Sequence, residues 1–187
     1  NVSVPGYFLV YRAENIADAR IWGAELSSRI DLGHFIENAD GFSLALVAGK
    51  TKGAAKNKEG TKTGLNSVQP EKGSLTFAYD DPNRKFGLGL TATAVGSRTA
   101  SIDASSFQPD GESQNYKSVA GYTVFDLSAY WKINKFTKLN VALNNMFDKT
   151  YWNYASVGTL DAIDKAVMID RAAEPGRNIV ASVEFKY

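Results

Sequence analysis

The chain has 187 residues, a net charge of +1, one His and no Cys. That length holds one sizeable domain, the near-neutral charge gives no whole-chain attraction to nucleic acid, and the missing Cys removes disulfide frameworks and thiolate metal sites. No apolar run approaches the ~20 residues of a spanning helix, whereas 10 Phe, 9 Tyr and 16 Gly favour β-structure.

Asn1 opens the chain without a signal-peptide pattern. For an exported protein this implies a removed leader or a piece of something longer. Pro5 to Tyr11 reads as a first strand, and a short connection, about Arg12 to Ala19, follows. A second strand runs from about Arg20 to Leu32. Trp22, Ala24, Leu26, Ile30 and Leu32 share one face, interrupted by Ser28; Gly23, Glu25, Ser27, Arg29 and Asp31 share the other. Period two marks an extended strand, whose successive side chains point to opposite faces. A turn spans Gly33 to Gly41, and a third strand, Phe42 to about Gly49, puts Phe42, Leu44, Leu46 and Ala48 on one side.

Lys50 to Pro70 has no apolar period and reads as a mobile loop. A fourth strand, near Gly73 to Asp80, carries Leu75, Phe77 and Tyr79. Asp81-Pro82-Asn83-Arg84 suits a type I turn, with Pro at its second position. The fifth strand, Lys85 to Val95, sets Phe86, Leu88, Leu90, Ala92 and Ala94 against Gly87, Gly89, Thr91 and Thr93. A second polar tract runs from about Gly96 to Gly121. The sixth strand, Tyr122 to Ile133, alternates Phe125, Leu127, Ala129 and Trp131 with Val124, Asp126, Ser128 and Tyr130. After the turn Asn134–Thr137 comes a seventh strand, Lys138 to Phe147. Asp148 to Gly176 is a third long connection, in which Leu160, Ile163 and Val167 have the spacing of a short helical turn. The eighth strand, Arg177 to Tyr187, puts Ile179, Ala181, Val183, Phe185 and Tyr187 on one face. An amphipathic strand ending in an aromatic residue looks like the closing strand of a bacterial outer-membrane barrel.

Alternation alone also fits a soluble β-sandwich. Three features favour a transmembrane barrel. Aromatic residues collect at strand ends, as rings do where hydrocarbon meets headgroup. Short turns alternate with long connections, as they do between the two ends of such barrels. The apolar faces of the second to eighth strands are expected to carry no Asp, Glu, Lys or Arg, and a Lys or Arg at mid-bilayer costs roughly 2–4 kcal/mol. The expected fold class is therefore all-β, an antiparallel transmembrane β-barrel with about eight strands here.

Three segments resemble the C-terminal part of TonB-dependent outer-membrane receptors: Asn15 to Glu25 with its Ala-Arg-Ile-Trp-Gly-Ala-Glu run, Phe125 to Trp152 with its Asn-Asn-Met-Phe-Asp-Lys run, and Ala173-Glu-Pro-Gly-Arg-Asn178. The last is similar to receptors for haem, haemoglobin, transferrin and lactoferrin. The resemblance implies the final eight strands of a 22-stranded barrel with a plugged lumen, with the plug and the TonB-engaging segment outside residues 1–187. It implies haem or a host iron-carrier protein as ligand, TonB as partner, and no cofactor. A complete eight-stranded structural or adhesive barrel is the competing reading.

No catalytic or metal site is expected. His34 falls in a short turn, and no Ser or Asp of the lumen or long loops has a His to activate it. No Gly-rich loop leads from a strand into a helix. Glu25, Arg29, Asp126, Asn144 and Arg177 are candidates for facing the lumen or plug. Glu25, Asp126 and Glu184 are expected to form structural ion pairs with Arg29, Lys132 and Lys186, and Arg177 to pair with a loop carboxylate. Gly23 leaves room for plug or neighbouring backbone. Tyr116, Tyr151, Trp152 and Tyr154 are candidates for stacking on a ligand from the long loops. The Lys50–Lys62 tract is a candidate for lipopolysaccharide phosphates or an acidic partner, and the lipid bilayer is the expected surroundings.

Overall fold

A computed structural model of the chain describes residues 18–56, 60, 62–65, 67–100, 117–158 and 171–186. Strands β1 (Asp18–Asp31), β2 (Phe42–Lys56), β3 (Lys62–Gly64), β4 (Lys72–Asp80), β5 (Phe86–Val95), β8 (Tyr122–Lys132), β9 (Thr137–Asn144) and β10 (Asn178–Phe185) form one antiparallel sheet. Its order is β1-β2-β4-β5-β8-β9-β10, with β3 paired to β2. A small separate hairpin joins β6 (Arg98–Ala100) to β7 (Lys117–Val119). Helix α1 is one turn, Tyr154–Gly158. The expected strand Pro5–Tyr11 and the helical turn at Leu160, Ile163 and Val167 lie outside the described residues.

Register sorts the two faces. Leu44 stands opposite Phe77, Phe77 opposite Leu90, Leu90 opposite Leu127, Leu127 opposite Leu143, and Leu143 opposite Ile179. Facing partners in an antiparallel pair share a side of the sheet, so this row is one unbroken apolar face. The other face reads Ala45, Thr76, Thr91, Asp126 along one row and Ser43, Ala78, Gly89, Ser128, Ala142, Val180 along the next. Thr76 and Thr91 share a 2.9 Å hydroxyl–hydroxyl bond across it.

No second layer covers the apolar face among the described residues. Leu26, Leu88 and Val183 are 54%, 50% and 51% exposed. A sandwich would bury them. The buried apolar cluster is instead a small one at the long-loop end, built from Val119, Tyr154 and Val157.

Aromatic residues bound this face at the short-turn end. Phe42 packs on Tyr79 (4.7 Å between centroids) and Tyr79 on Phe86 (5.9 Å), and Phe86 stands opposite Trp131. At the other end Phe147 meets Phe125 edge-on at 5.3 Å. Phe147 does so from beyond the strand, because β9 stops at Asn144 rather than continuing to Phe147.

The short turns follow their chemistry. At Asp81 to Arg84 the Arg84 N–H donates to the Asp81 carbonyl, and the Lys85 N–H donates to Asp81 Oδ2 at 3.1 Å. The Asp81 N–H donates to the Phe86 carbonyl, so Pro82 to Lys85 form a four-residue loop built around this turn, with Arg84 in the left-handed region at φ 54°. Gly41 at φ 86° lets the chain re-enter β2, where a Cβ would strike the Asp80 carbonyl.

The tract from Lys50 is not all loop. β2 continues to Lys56, paired rung by rung with β1 from Asp18↔Lys56 to Ala24↔Lys50. Beyond Gly49 it has left β4 behind, so this hairpin projects past the sheet. The tract after Gly96 likewise contains β6 and β7. Nor is the apolar face wholly without charge. Arg20, Lys50 and Lys52 share the side of Trp22, and the Lys52 ammonium lies 5.5 Å from the Trp22 ring. They belong to the projecting arm and its base.

Candidate functional site

The long-loop end is organised by Asn144-Asn145-Met146-Phe147-Asp148-Lys149. Asn145 is 2% exposed and adopts φ 48°, a conformation Asn tolerates better than most side chains. Its backbone N–H donates to Asp126 Oδ1 (2.8 Å), and its Nδ2 donates to the carbonyls of Lys149 (2.8 Å) and Pro175 (3.3 Å). Its Oδ1 accepts from the Lys149 N–H at 2.9 Å. Asp148, at φ 55°, accepts the Arg177 N–H on Oδ1 at 2.7 Å. The Glu174 N–H donates to the Tyr151 carbonyl, Ser156 donates to Glu174 Oε1, and Trp152 bridges Ala173. Both ends of the 145–177 connection are thereby tied to each other and, through Asp126, to β8.

The three long connections meet beside this lock. Arg98 donates from Nη2 to the Leu65 carbonyl at 2.9 Å, and its guanidinium lies 5.9 Å from the Tyr154 ring. One arginine therefore touches the connections beginning after β2, β5 and β9. Tyr154 is 3% exposed and packs with Val119 and Val157, so its ring is a packing element rather than a stacking surface. Trp152 is half-buried against the same cluster. Tyr151 packs against Tyr122 with tilted rings, 4.3 Å between centroids, over the end of the polar face. Burial, with Glu174 and then Asp126 nearby, raises the Tyr151 pKa above the ordinary tyrosine value. Tyr116 lies outside the described residues.

The lumen candidates separate into different environments. Arg29 pairs with Asp31 (3.3 Å) and Asp80 (3.8 Å) rather than with Glu25, and Asp80 accepts the Tyr130 hydroxyl at 2.9 Å. Glu25 is exposed on the polar face opposite Gly49. Asp126 is engaged by the Asn145 N–H rather than by a lysine. Asn144 donates to Asn178 Oδ1 at 3.0 Å. For Arg177 it is the backbone N–H that reaches a loop carboxylate, while Glu184 pairs with Lys186 at 3.6 Å. The close neighbour of Gly23 is backbone: a Cβ there would lie 2.7 Å from the Lys50 carbonyl oxygen. His34 ends a short helical turn, Leu32–His34, beside Arg29, Asp31 and Asp40. Among the described residues no three metal-ligating side chains converge. Asn145, Asp148 and Glu174 were missed as organising residues. Their signal was the Asn-Asn-Met-Phe-Asp-Lys run together with Pro-Gly-Arg.

A family model described as TonB dependent receptor-like, beta-barrel matches residues 1–146. The chain belongs to the TonB-dependent receptor β-barrel family. Within it the chain is similar to probable hemoglobin and hemoglobin-haptoglobin-binding protein 4 of Haemophilus influenzae, with 28% identity over 96% of this chain and 19% of that protein. It is also similar to hemoglobin-haptoglobin utilization protein B of Neisseria meningitidis serogroup C, with 28% identity over 95% of this chain and 23% of that one. The chain thus spans about a fifth of the relatives it matches. Among solved structures it superimposes on the copper transporter OprC with a TM-score of 0.69, 22% identity, and coverage of 92% of this chain and 24% of that one. The FrpB iron transporter from Neisseria meningitidis gives 0.62 and 18%, over 90% and 24%. These likenesses place the sheet in the outer-membrane β-barrel fold of TonB-dependent transporters.

Proposed function

We propose that this chain is part of the barrel of an outer-membrane receptor that takes up iron in a carrier, with haemoglobin or its haem as first candidate. The sheet that separates an exposed apolar face from a polar one carries the reading. In the bilayer the row from Leu44 to Ile179 meets lipid, and the row through Thr76, Thr91 and Asp126 lines an enclosed lumen. β1 and β10 do not pair with each other. Unpaired strand edges are not tolerated in hydrocarbon, so further strands of a longer polypeptide complete the barrel. That agrees with relatives several times longer and with a 22-stranded closure.

In this orientation the short turns are periplasmic and the locked loops extracellular. The loops carry ligand contacts, with Tyr151 and Trp152 as candidates, and energy reaches a lumenal plug through TonB. Haemoglobin is favoured because the similar proteins named above are described as binding or using haemoglobin and haemoglobin–haptoglobin. The test is binding of the full-length receptor to haemoglobin, haemoglobin–haptoglobin, free haem and a ferric siderophore. Haemoglobin binding that is lost when residues 149–175 are replaced by a short linker supports the assignment. Binding of the siderophore alone overturns it.

A further inference from the structure

The polar face is unevenly neutralised at its short-turn end. On the β1–β5 side, Arg29 is matched by Asp31 and Asp80. On the β8–β10 side, one groove is lined by Lys132, Lys135, Lys138 and Lys186 with Glu184 as its single carboxylate. Lys132 and Lys138 stand directly opposite each other, an arrangement of like charges that destabilises a ladder. Glu184, opposite Lys138, already lies 3.6 Å from Lys186. The Lys138 ammonium is held 4.8 Å from the Tyr130 ring and that of Lys135 4.8 Å from Phe136. Ring contact orients these cations and leaves their charge in place.

Resting on the facing proposed above, we infer that this basic strip seats an acidic segment of the remaining polypeptide inside the short-turn mouth of the barrel. Charge complementarity selects a carboxylate-rich peptide. Lipid phosphate fits poorly, because Lys132 and Lys138 share the side of Tyr130 and Asn140, opposite to Trp131 and Leu139. The relatives' length supplies the segment, since about four fifths of each lies outside the match. An acidic stretch there relieves the Lys132–Lys138 repulsion and fixes the segment's position against β8 and β9.

The test is zero-length carbodiimide coupling in the full-length receptor, which joins lysine amines to carboxylates in contact, followed by peptide mapping. The Lys186–Glu184 link is an internal control. Lys132 or Lys138 is expected to couple to Asp or Glu of the same polypeptide outside residues 1–187. The yield is expected to fall several-fold between ~0.1 and ~1 M salt, as the Debye length shrinks from about 10 to about 3 Å. Coupling only to Glu184, only to other proteins, or not at all while the control forms overturns the inference. A photoreactive side chain at Leu139 separates this failure from that of the underlying facing. Capture of lipid there with no acidic partner at Lys132 or Lys138 rejects the strip alone, whereas capture of lumenal polypeptide at Leu139 rejects both.

Discussion

The Asp148 carboxylate accepts the Arg177 backbone N–H at 2.7 Å across 29 residues of chain. Together with the Asn145–Pro175 and Glu174–Tyr151 bonds it closes the longest connection onto the mouth of the last hairpin, β9–β10. A Cβ at Gly176 would stand 2.7 Å from the same Asp148 oxygen, which is why glycine precedes the arginine. The lock is geometric, so its parts differ in what they tolerate.

Asp148→Asn keeps an oxygen acceptor and is expected to leave the loop largely closed, while Asp148→Ala removes it. Loss of such a charge-assisted bond costs about 1.5–3 kcal/mol. Limited proteolysis within residues 149–175 of the full-length receptor should accelerate in the Ala variant, with the Asn variant close to wild type.

Asn145→Ala is expected to be the costliest single change at this end. It deprives the Lys149 N–H and the carbonyls of Lys149 and Pro175 of their partner, at about 0.5–1.5 kcal/mol for each bond lost between residues that water reaches. It also places a Cβ-bearing residue without a stabilising side chain at φ 48°, adding roughly 1–2 kcal/mol. Asn145→Gly relieves the backbone part alone. Thermal unfolding in detergent should rank wild type above Gly above Ala.

Leu90→Arg and Thr91→Arg are neighbours on opposite faces. The first is expected to lose about 2–4 kcal/mol, the cost of an arginine near mid-bilayer. The second loses the Thr76 hydroxyl bond, about 0.5–1.5 kcal/mol, and otherwise meets a polar lumen. Urea titration of each receptor variant folded into lipid vesicles measures the difference.

Tyr151 titrates above the ordinary tyrosine value because of its burial and the nearby Glu174 and Asp126. Its folded pKa exceeds its unfolded value of 10.0, so between the two the folded state holds more protons. Stability it supplies is complete below about pH 10 and is lost as pH rises through the folded pKa. Tyr151→Phe should move the alkaline unfolding midpoint upward, followed by circular dichroism against pH.

Strand parity was legible because the two faces of the sheet carry opposite chemistries on alternate residues, so Leu88, Leu90 and Trp131 announce their face. Lys50 to Lys56 did not read as strand because that arm projects beyond β4, where backbone pairing with β1 holds it without an alternating apolar face. Tyr154 looked like a ligand platform because buried and exposed rings have the same letter; only Val119 and Val157, brought from separate connections, make it core. The role of Asn145 was hidden for the same reason, since its partners Asp126 and Pro175 are distant in sequence.

A nitroxide placed singly at residues 123 to 131 of β8 in the full-length receptor reports each position's contact with membrane-dissolved oxygen. Oxygen collision should peak at Phe125, Leu127, Ala129 and Trp131 and fall at Val124, Asp126, Ser128 and Tyr130. Peaks on the second set, or a profile without a period of two, would mean that this sheet does not turn its apolar face to lipid.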